Sequence, residues 1–99
     1  MVITVRKSFI KELQKLPPKI QQSVREVLEE LEQAVDLESS GVDYKYMEGQ
    51  EKNQNYYRIR IGGWRMGIEY SPPIDEQTAA AIVITILSRG GIYKKFPPK

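Results

Sequence analysis

The sequence predicts an α+β fold: an N-terminal strand, a two-helix hairpin, and then antiparallel strands that form a twisted sheet with the helices on one face. Three observations carry this prediction. Residues 57–70 alternate between apolar and polar side chains about a central Gly62-Gly63, as an antiparallel hairpin does. Residues 19–35 carry apolar side chains at helical spacing. Residues 80–87 form an almost unbroken apolar run, which is typical of a strand buried on both faces.

The N-terminal part of the chain is predicted to hold the first strand and both helices. Residues 2–5 are a short β-type run, and Ser8 is placed to cap the first helix. Pro17-Pro18 ends that helix and begins the next, because proline is accepted in the first turn. The second helix is predicted to continue to Ser39-Ser40-Gly41. Its apolar stripe consists of Ile20, Val24, Val27, Leu28, Leu31 and Val35.

The hairpin at residues 57–70 is predicted to place arginines opposite one another. If Gly62-Gly63 is the whole turn, Arg60 pairs with Arg65, and Arg58 pairs with Gly67. One face of the hairpin is then apolar, and the other holds all three arginines. Like charges that face each other across a sheet are destabilising. We therefore expect an anion to bind between them.

The composition excludes several kinds of chemistry. The chain of 99 residues is predicted to form one domain, residues 1–99, and it contains neither cysteine nor histidine. Disulfides, thiolate nucleophiles, the usual zinc sites and imidazole catalysis are therefore excluded. Catalysis would have to use arginine, lysine, tyrosine, hydroxyl or carboxylate groups, and no cofactor or metal site is predicted.

The charge is distributed unevenly along the chain. Residues 1–55 hold 8 Lys and Arg against 10 Asp and Glu, whereas residues 56–99 hold 7 against 3. This favours a polyanion or an acidic protein as the partner of the C-terminal half, although an uneven soluble surface would look the same. The chain has no apolar run long enough to span a bilayer and no signal-peptide pattern, so we expect no membrane association and a cytoplasmic location.

The candidate site is the polar face of the hairpin together with the C-terminal segment. Alternation continued past Thr85 and Leu87 would put Arg89 on the same open face, and Tyr93 follows just beyond the strand. If the bound anion is RNA, arginines can stabilise a phosphorane, and a tyrosine whose pKa they lower can accept the 2′-hydroxyl proton. The simpler interpretations are solvated arginines, an Arg65–Glu69 pair, and a Tyr93 that merely packs the tail.

The chain resembles the RelE/ParE superfamily of toxins from type II toxin–antitoxin systems. The resemblance covers nearly the whole chain, and its specific parts are YRIRIGGWRMGIEY at 57–70 and ILSRGGIYKKFP at 86–97, preceded by FIKELQKLPPKI at 9–20. It implies a RelE-like mRNA interferase, an endonuclease that cuts mRNA on the ribosome without a metal and arrests growth by inhibiting translation. It also implies a cognate antitoxin as partner, with operator DNA bound only through that antitoxin.

The resemblance also implies roles for individual residues. Arg65 and Arg89 would stabilise the phosphate and protonate the leaving group, Tyr93 would stack on a base or activate the 2′-hydroxyl, and Arg60 would stabilise charge. The implied RNA-binding residues are Tyr56, Arg58, Arg60, Lys94 and Lys95. Some relatives have lysine at the two β-strand positions, and lysine can lose a proton where arginine cannot. A general base at Arg58 or Arg60 is therefore not implied. The alternatives are a ParE-like toxin that inhibits gyrase and an inactive antitoxin-binding module.

Overall fold

The predicted α+β fold is confirmed in a computed structural model that describes residues 1–98; Lys99, the end of the predicted domain, lies outside the described residues. Five strands form one sheet in the order β1-β5-β4-β3-β2. The strands are β1 (Val2–Val5), β2 (Tyr44–Tyr46), β3 (Tyr56–Ile61), β4 (Trp64–Ser71) and β5 (Ala80–Ser88). The helices are α1 (Lys7–Gln14), α2 (Pro18–Gln33), α3 (Leu37–Ser40) and α4 (Arg89–Lys95).

The register of the predicted hairpin is confirmed. In the β3–β4 pair, Arg60 lies opposite Arg65 and Arg58 lies opposite Gly67. Gly62 has a φ of +60°, the left-handed conformation that a two-residue hairpin turn accepts from glycine at its first position. β4 continues antiparallel to β5, and β5 is parallel to β1 at the edge of the sheet. The predicted buried strand at 80–87 is also confirmed, because β5 spans Ala80–Ser88 and most of its residues are buried.

The sheet has apolar clusters on both faces. The larger cluster joins α1, α2 and α3 to the inward face of the sheet, with Phe9, Val24, Leu31 and Ile59 fully or almost fully buried. The smaller one lies on the arginine side, where α4 covers the sheet. It consists of Met47, Ile84, Ile92 and Phe96. The prediction placed helices on one face, and α4 adds a helix to the other.

Three local predictions about the N-terminal part are wrong. The α1 N-cap is Arg6, and the Ser8 hydroxyl instead donates 2.8 Å to the carbonyl of Ile84, tying the helix to β5. α2 ends at Gln33, so Val35 falls outside the stripe and is 70% exposed. The stop at Ser39-Ser40-Gly41 belongs to the separate helix α3, whose N-cap is Asp36.

A β-bulge in β5 also breaks the alternation from which Arg89 was placed. The β4–β5 register shifts between Gly67 and Ile68, which pair with Thr85 and Val83. Thr85 is buried, and its hydroxyl donates 2.6 Å to a carboxylate oxygen of Glu12 on α1. The alternation of side chains between the two faces is therefore interrupted at Thr85, and the face of Arg89 cannot be counted from it. Within residues 1–98, no helix combines the length and apolar character needed to cross a membrane.

Candidate functional site

α4 brings the C-terminal segment onto the arginine side of the sheet. Its N-cap is Ser88, whose hydroxyl accepts a 3.3 Å hydrogen bond from the backbone N–H of Gly91. The backbone N–H of Arg89 donates 3.0 Å to the carbonyl of Gly63, so the start of the helix is fixed to the hairpin turn. Ile92 points inward and is fully buried. Tyr93, the next residue, is consequently presented on the outer side of the helix.

Phe96 anchors the other end of α4 through a close contact with Gly67. A Cβ atom at Gly67 would lie 2.9 Å from three atoms of the Phe96 ring, closer than carbon atoms approach without displacement. The ring of Tyr56 meets Phe96 edge-to-face at a centroid distance of 5.4 Å. A glycine inside β4 is thus what lets the aromatic ring lie against the sheet. Tyr56, predicted to bind RNA, is half-buried in this packing.

A cleft of about 300 Å³ opens between α4, β3 and the β2 segment. The buried side chains of Met47 and Phe96 contribute to its base, and charged and phenolic groups line its sides. We call this space the arginine cleft, and its polar walls are Lys45, Arg58, Tyr93 and Lys94. Glu48 contributes a carboxylate to the same lining. Cationic groups therefore outnumber the anionic group.

Arg58 is held in the cleft by one acidic neighbour. Its Nη1 lies 3.5 Å from a carboxylate oxygen of Asp43, and the side chains are 14% and 58% exposed respectively. This is the only ion pair within residues 1–98, and the exposure of Asp43 makes it a weak one. The Nε of Arg58 is buried and has no hydrogen-bond partner among the described residues. One N–H of this guanidinium thus remains unsatisfied.

Arg65 is held differently, by backbone carbonyls of the turn. The residue is 7% exposed, and its Nη1 donates 2.8 Å to the carbonyl of Gly62 and 2.9 Å to that of Trp64. Its Nε is also buried without a partner in the described part of the chain. The alternative pairing with Glu69 does not occur in the structure. A buried arginine without a carboxylate retains its full positive charge for a ligand.

Tyr93 lies beside both of these guanidinium groups. A polar interaction with Arg58 is the largest influence on its hydroxyl, and together with the positive charge of Arg58 and Arg65 it lowers the pKa of Tyr93 below its usual value of about 10. Slight burial opposes the shift. The side chain is 59% exposed, so the alternative that Tyr93 merely packs the tail is wrong, whereas Phe96 does have that role. This phenol therefore loses its proton more readily than a free tyrosine, and its ring is exposed to the cleft.

Three other predicted site residues, Arg60, Arg89 and Lys95, do not line the arginine cleft. Arg60 is exposed near the hairpin turn, opposite Arg65 but outside the cleft lining. Arg89 is exposed at the first position of α4, four residues before Tyr93, and residues at that spacing share a helix face. Its placement by strand alternation is wrong, because the chain becomes helical at that residue. Lys95 is exposed at the end of α4.

Lys45 is a site residue that the sequence reasoning missed. It lies directly opposite Arg58 in the β2–β3 register. Its neighbours Tyr44 and Tyr46 both contact the ring of Tyr57, on the other side of the sheet, so Lys45 faces the arginine side. The alternation of Tyr44, Lys45 and Tyr46 is visible in the sequence, but the pairing of this segment with β3 is not.

Comparison with known proteins identifies the family. Toxin RelE3 of Methanocaldococcus jannaschii is 32% identical to this chain over 97 residues, which are 98% of this chain and 100% of that protein. The chain belongs to the RelE toxin family. A RelE toxin is the toxin component of a type II toxin–antitoxin system, as the sequence predicted. No protein-family model matches the chain.

Solved RelE structures share this fold. The RelB–RelE antitoxin–toxin complex from Methanococcus jannaschii contains a chain that is 32% identical, with a TM-score of 0.69 and coverage of 95% of this chain and 99% of that one. The RelE–RelB complex from Pyrococcus horikoshii has a chain at 21% identity, with a TM-score of 0.66 and coverage of 90% and 94%. The latter likeness concerns the fold alone.

Proposed function

We propose that this RelE toxin is a ribosome-dependent, metal-independent mRNA endonuclease that arrests growth by inhibiting translation. The observation that carries the proposal is geometric: Arg58 and Tyr93 line one cleft, and Arg65 lies on the same face of the β3–β4 pair as Arg58. The lowered pKa of Tyr93 agrees with this arrangement. The family relationship supports it. Residues 1–99 would act as a single toxin domain in the cytoplasm, where ribosomes translate.

The proposed reaction is attack of a 2′-hydroxyl on the adjacent phosphorus. The Tyr93 phenolate accepts the 2′ proton as the new bond forms between O2′ and phosphorus, and the bond from phosphorus to O5′ breaks. The products are a 2′,3′-cyclic phosphate and a 5′-hydroxyl, whose oxygen takes up one proton. No oxidant, reductant or metal is needed for this balance. The same ring can stack on a base, which would fix the nucleotide before reaction.

The arginines would stabilise the extra negative charge of the phosphorane. Arg65 suits this role because its position is fixed by two carbonyls, so little reorganisation is required when the charge develops. Arg58 contributes from the opposite strand, and Arg60 follows on the same face of β3. Arg89 is proposed to reach the phosphate from the first position of α4. Because arginine keeps its proton, Arg65 or Arg89 would assist protonation of O5′ by hydrogen-bonding to that oxygen, and water would supply the proton. Lys94, Lys95 and Tyr56 are proposed to contact the RNA.

The proposed protein partner is a cognate antitoxin. The 32% identical chain from Methanococcus jannaschii was solved in complex with the antitoxin RelB, and the basic C-terminal half of this chain suits an acidic segment. An antitoxin bound over the arginine cleft would neutralise the toxin by covering Arg58 and Tyr93. Operator DNA would be bound only through that antitoxin.

Cleavage of a message on purified ribosomes tests the proposal. The wild-type protein is expected to cut in the presence of a chelator, and Tyr93→Phe is expected to slow cleavage about 10²-fold, in the range of a lost general base. Lys15→Gln, at the exposed residue that follows α1, is the control for a generic change in charge. An intact message with wild-type protein, or equal rates for Tyr93→Phe and wild type, would contradict the proposal. Supercoiling by gyrase is assayed in parallel as the ParE-like alternative.

A further inference from the structure

Lys45 occupies a position that the assigned roles leave unexplained. It is exposed on the short strand β2, and its Cα partner across the β2–β3 pair is Arg58. Neighbouring strands lie about 4.8 Å apart, so the two cationic side chains leave the sheet side by side. Like charges placed directly opposite each other destabilise a sheet. The Lys45–Arg58 pair therefore repeats, one strand farther out, the opposition of Arg60 and Arg65.

The charges around Lys45 do not neutralise it. Within residues 1–98 no carboxylate lies within ion-pair distance of the Lys45 ammonium group, and Asp43 contacts Arg58. Glu48 lines the cleft but makes no ion pair in the described residues. Lys45, Arg58 and Tyr93 all line the same cleft. The ammonium group thus faces the space in which the phosphate would be bound.

We propose that Lys45 is a phosphate-binding residue of this toxin, a cation that enters the arginine cleft from β2 and contacts a phosphate of the bound RNA. This inference rests on the proposed nuclease function and adds a residue to its substrate site. A lysine is suited to this position because its compact charge sits on a flexible four-carbon stem and can follow a phosphate that moves during reaction. The arginines, by contrast, are held by Asp43 and by the turn carbonyls.

RNA fits this surface better than an acidic protein segment does. The cleft combines cations with the exposed ring of Tyr93, and single-stranded RNA is recognised by cations together with aromatic stacking. A carboxylate-rich peptide would use the charges alone. The competing possibility is that Lys45 contacts the antitoxin and not RNA. In that case Lys45→Gln would weaken antitoxin binding only.

Salt dependence of RNA binding provides a test that does not require cleavage. Ribosomes carry a message blocked by 2′-O-methyl groups at the cleavage site, and toxin affinity is measured over a range of salt concentrations. Lys45→Gln is expected to reduce the slope of log affinity against log salt by about 0.7, the contribution of one phosphate contact on a single strand. Lys45→Arg should retain the slope, and Lys15→Gln is the matched control on the other face of the sheet.

Cleavage rates on an unblocked message complete the design. Lys45→Gln is expected to lower the rate about tenfold, less than the loss of a rigid phosphate-binding donor, because a flexible side chain is less preorganised. Lys45→Arg should cut at close to the wild-type rate. If Lys45→Gln leaves both slope and rate unchanged, or weakens only antitoxin binding, the inference is wrong. If the wild-type toxin binds the blocked message but never cuts the unblocked one, the proposed nuclease function is wrong. The salt dependence of binding still shows whether Lys45 contacts a phosphate.

Discussion

Gly67→Ala tests whether the contact between β4 and Phe96 positions the site. The added Cβ atom would lie 2.9 Å from three atoms of the Phe96 ring. The ring is 4% exposed and packed among Met47, Ile84 and Ile92, so it cannot swing into solvent without opening that cluster. Because Phe96 directly follows the last residue of α4, its displacement should also shift Tyr93.

The expected cost can be worked out from this geometry. Inserting a methyl group into a well-packed region costs about 1–3 kcal/mol, and replacing a strand glycine returns about 0.5–1 kcal/mol of backbone entropy. Taking the middle of each range, the net loss in the free energy of unfolding is about 1 kcal/mol. For a chain of 99 residues this corresponds to a decrease in Tm of about 4–8 °C. Gly63→Ala is the control, because a Cβ atom there meets nothing within 4 Å.

Thermal denaturation of four variants decides the question. Gly67→Ala, Phe96→Leu and their double variant form a cycle, with Gly63→Ala alongside. The smaller leucine should leave room for the new methyl group, so Gly67→Ala should cost less than about 0.5 kcal/mol in that background. Equal costs in both backgrounds, or a Gly67→Ala variant as stable as Gly63→Ala, would refute the reasoning. Message cleavage by the same proteins reports whether Tyr93 moves.

Three further predictions follow from individual contacts. NMR titration of the folded protein should show one tyrosine with a pKa below the usual value of about 10. Tyr93→Phe should remove that titration, and Arg58→Gln should raise the pKa of Tyr93. Since this pKa is lower in the folded state, the stability it contributes is present above the unfolded pKa and is lost as pH falls through the folded value. Thr85→Val should cost about 1–2 kcal/mol in urea denaturation, because it leaves Glu12 without its 2.6 Å donor. Gly90→Ala should stabilise the protein by up to about 1 kcal/mol, because α4 has open space there.

The hairpin could be predicted in detail because its determinants are local. A two-residue glycine turn fixes the register, and strict alternation then fixes the face of every side chain. Arg60 opposite Arg65 and Arg58 opposite Gly67 follow from those rules alone. The buried strand β5 could also be predicted from local sequence, because its continuous apolar run does not have the spacing of an amphipathic helix.

The misplaced features depend on contacts between distant parts of the chain. The tail contains Gly90-Gly91, which disfavours a helix, yet the Ser88 cap and the burial of Ile92 and Phe96 stabilise α4. The bulge at Thr85 accompanies a hydrogen bond to Glu12, 73 residues earlier. No local pattern reports such a partner. The position of Lys45 also depends on a distant contact, because only the pairing of β2 with β3 places it opposite Arg58.

The two central arginines are not equivalent, and the difference bears on mechanism. Arg65 is nearly buried and tied to two carbonyls of its own turn, which offset its desolvation without cancelling its charge. Arg58 is tied to the exposed carboxylate of Asp43, a partner that a phosphate can replace. A fixed cation can therefore define where the phosphorane charge develops, while an exchangeable one admits the substrate. Arg65 lies opposite the exposed Arg60, and its two carbonyl acceptors help the hairpin to tolerate these like charges. The Nε of Arg65 stays without a partner among the described residues, so it is available to a phosphate.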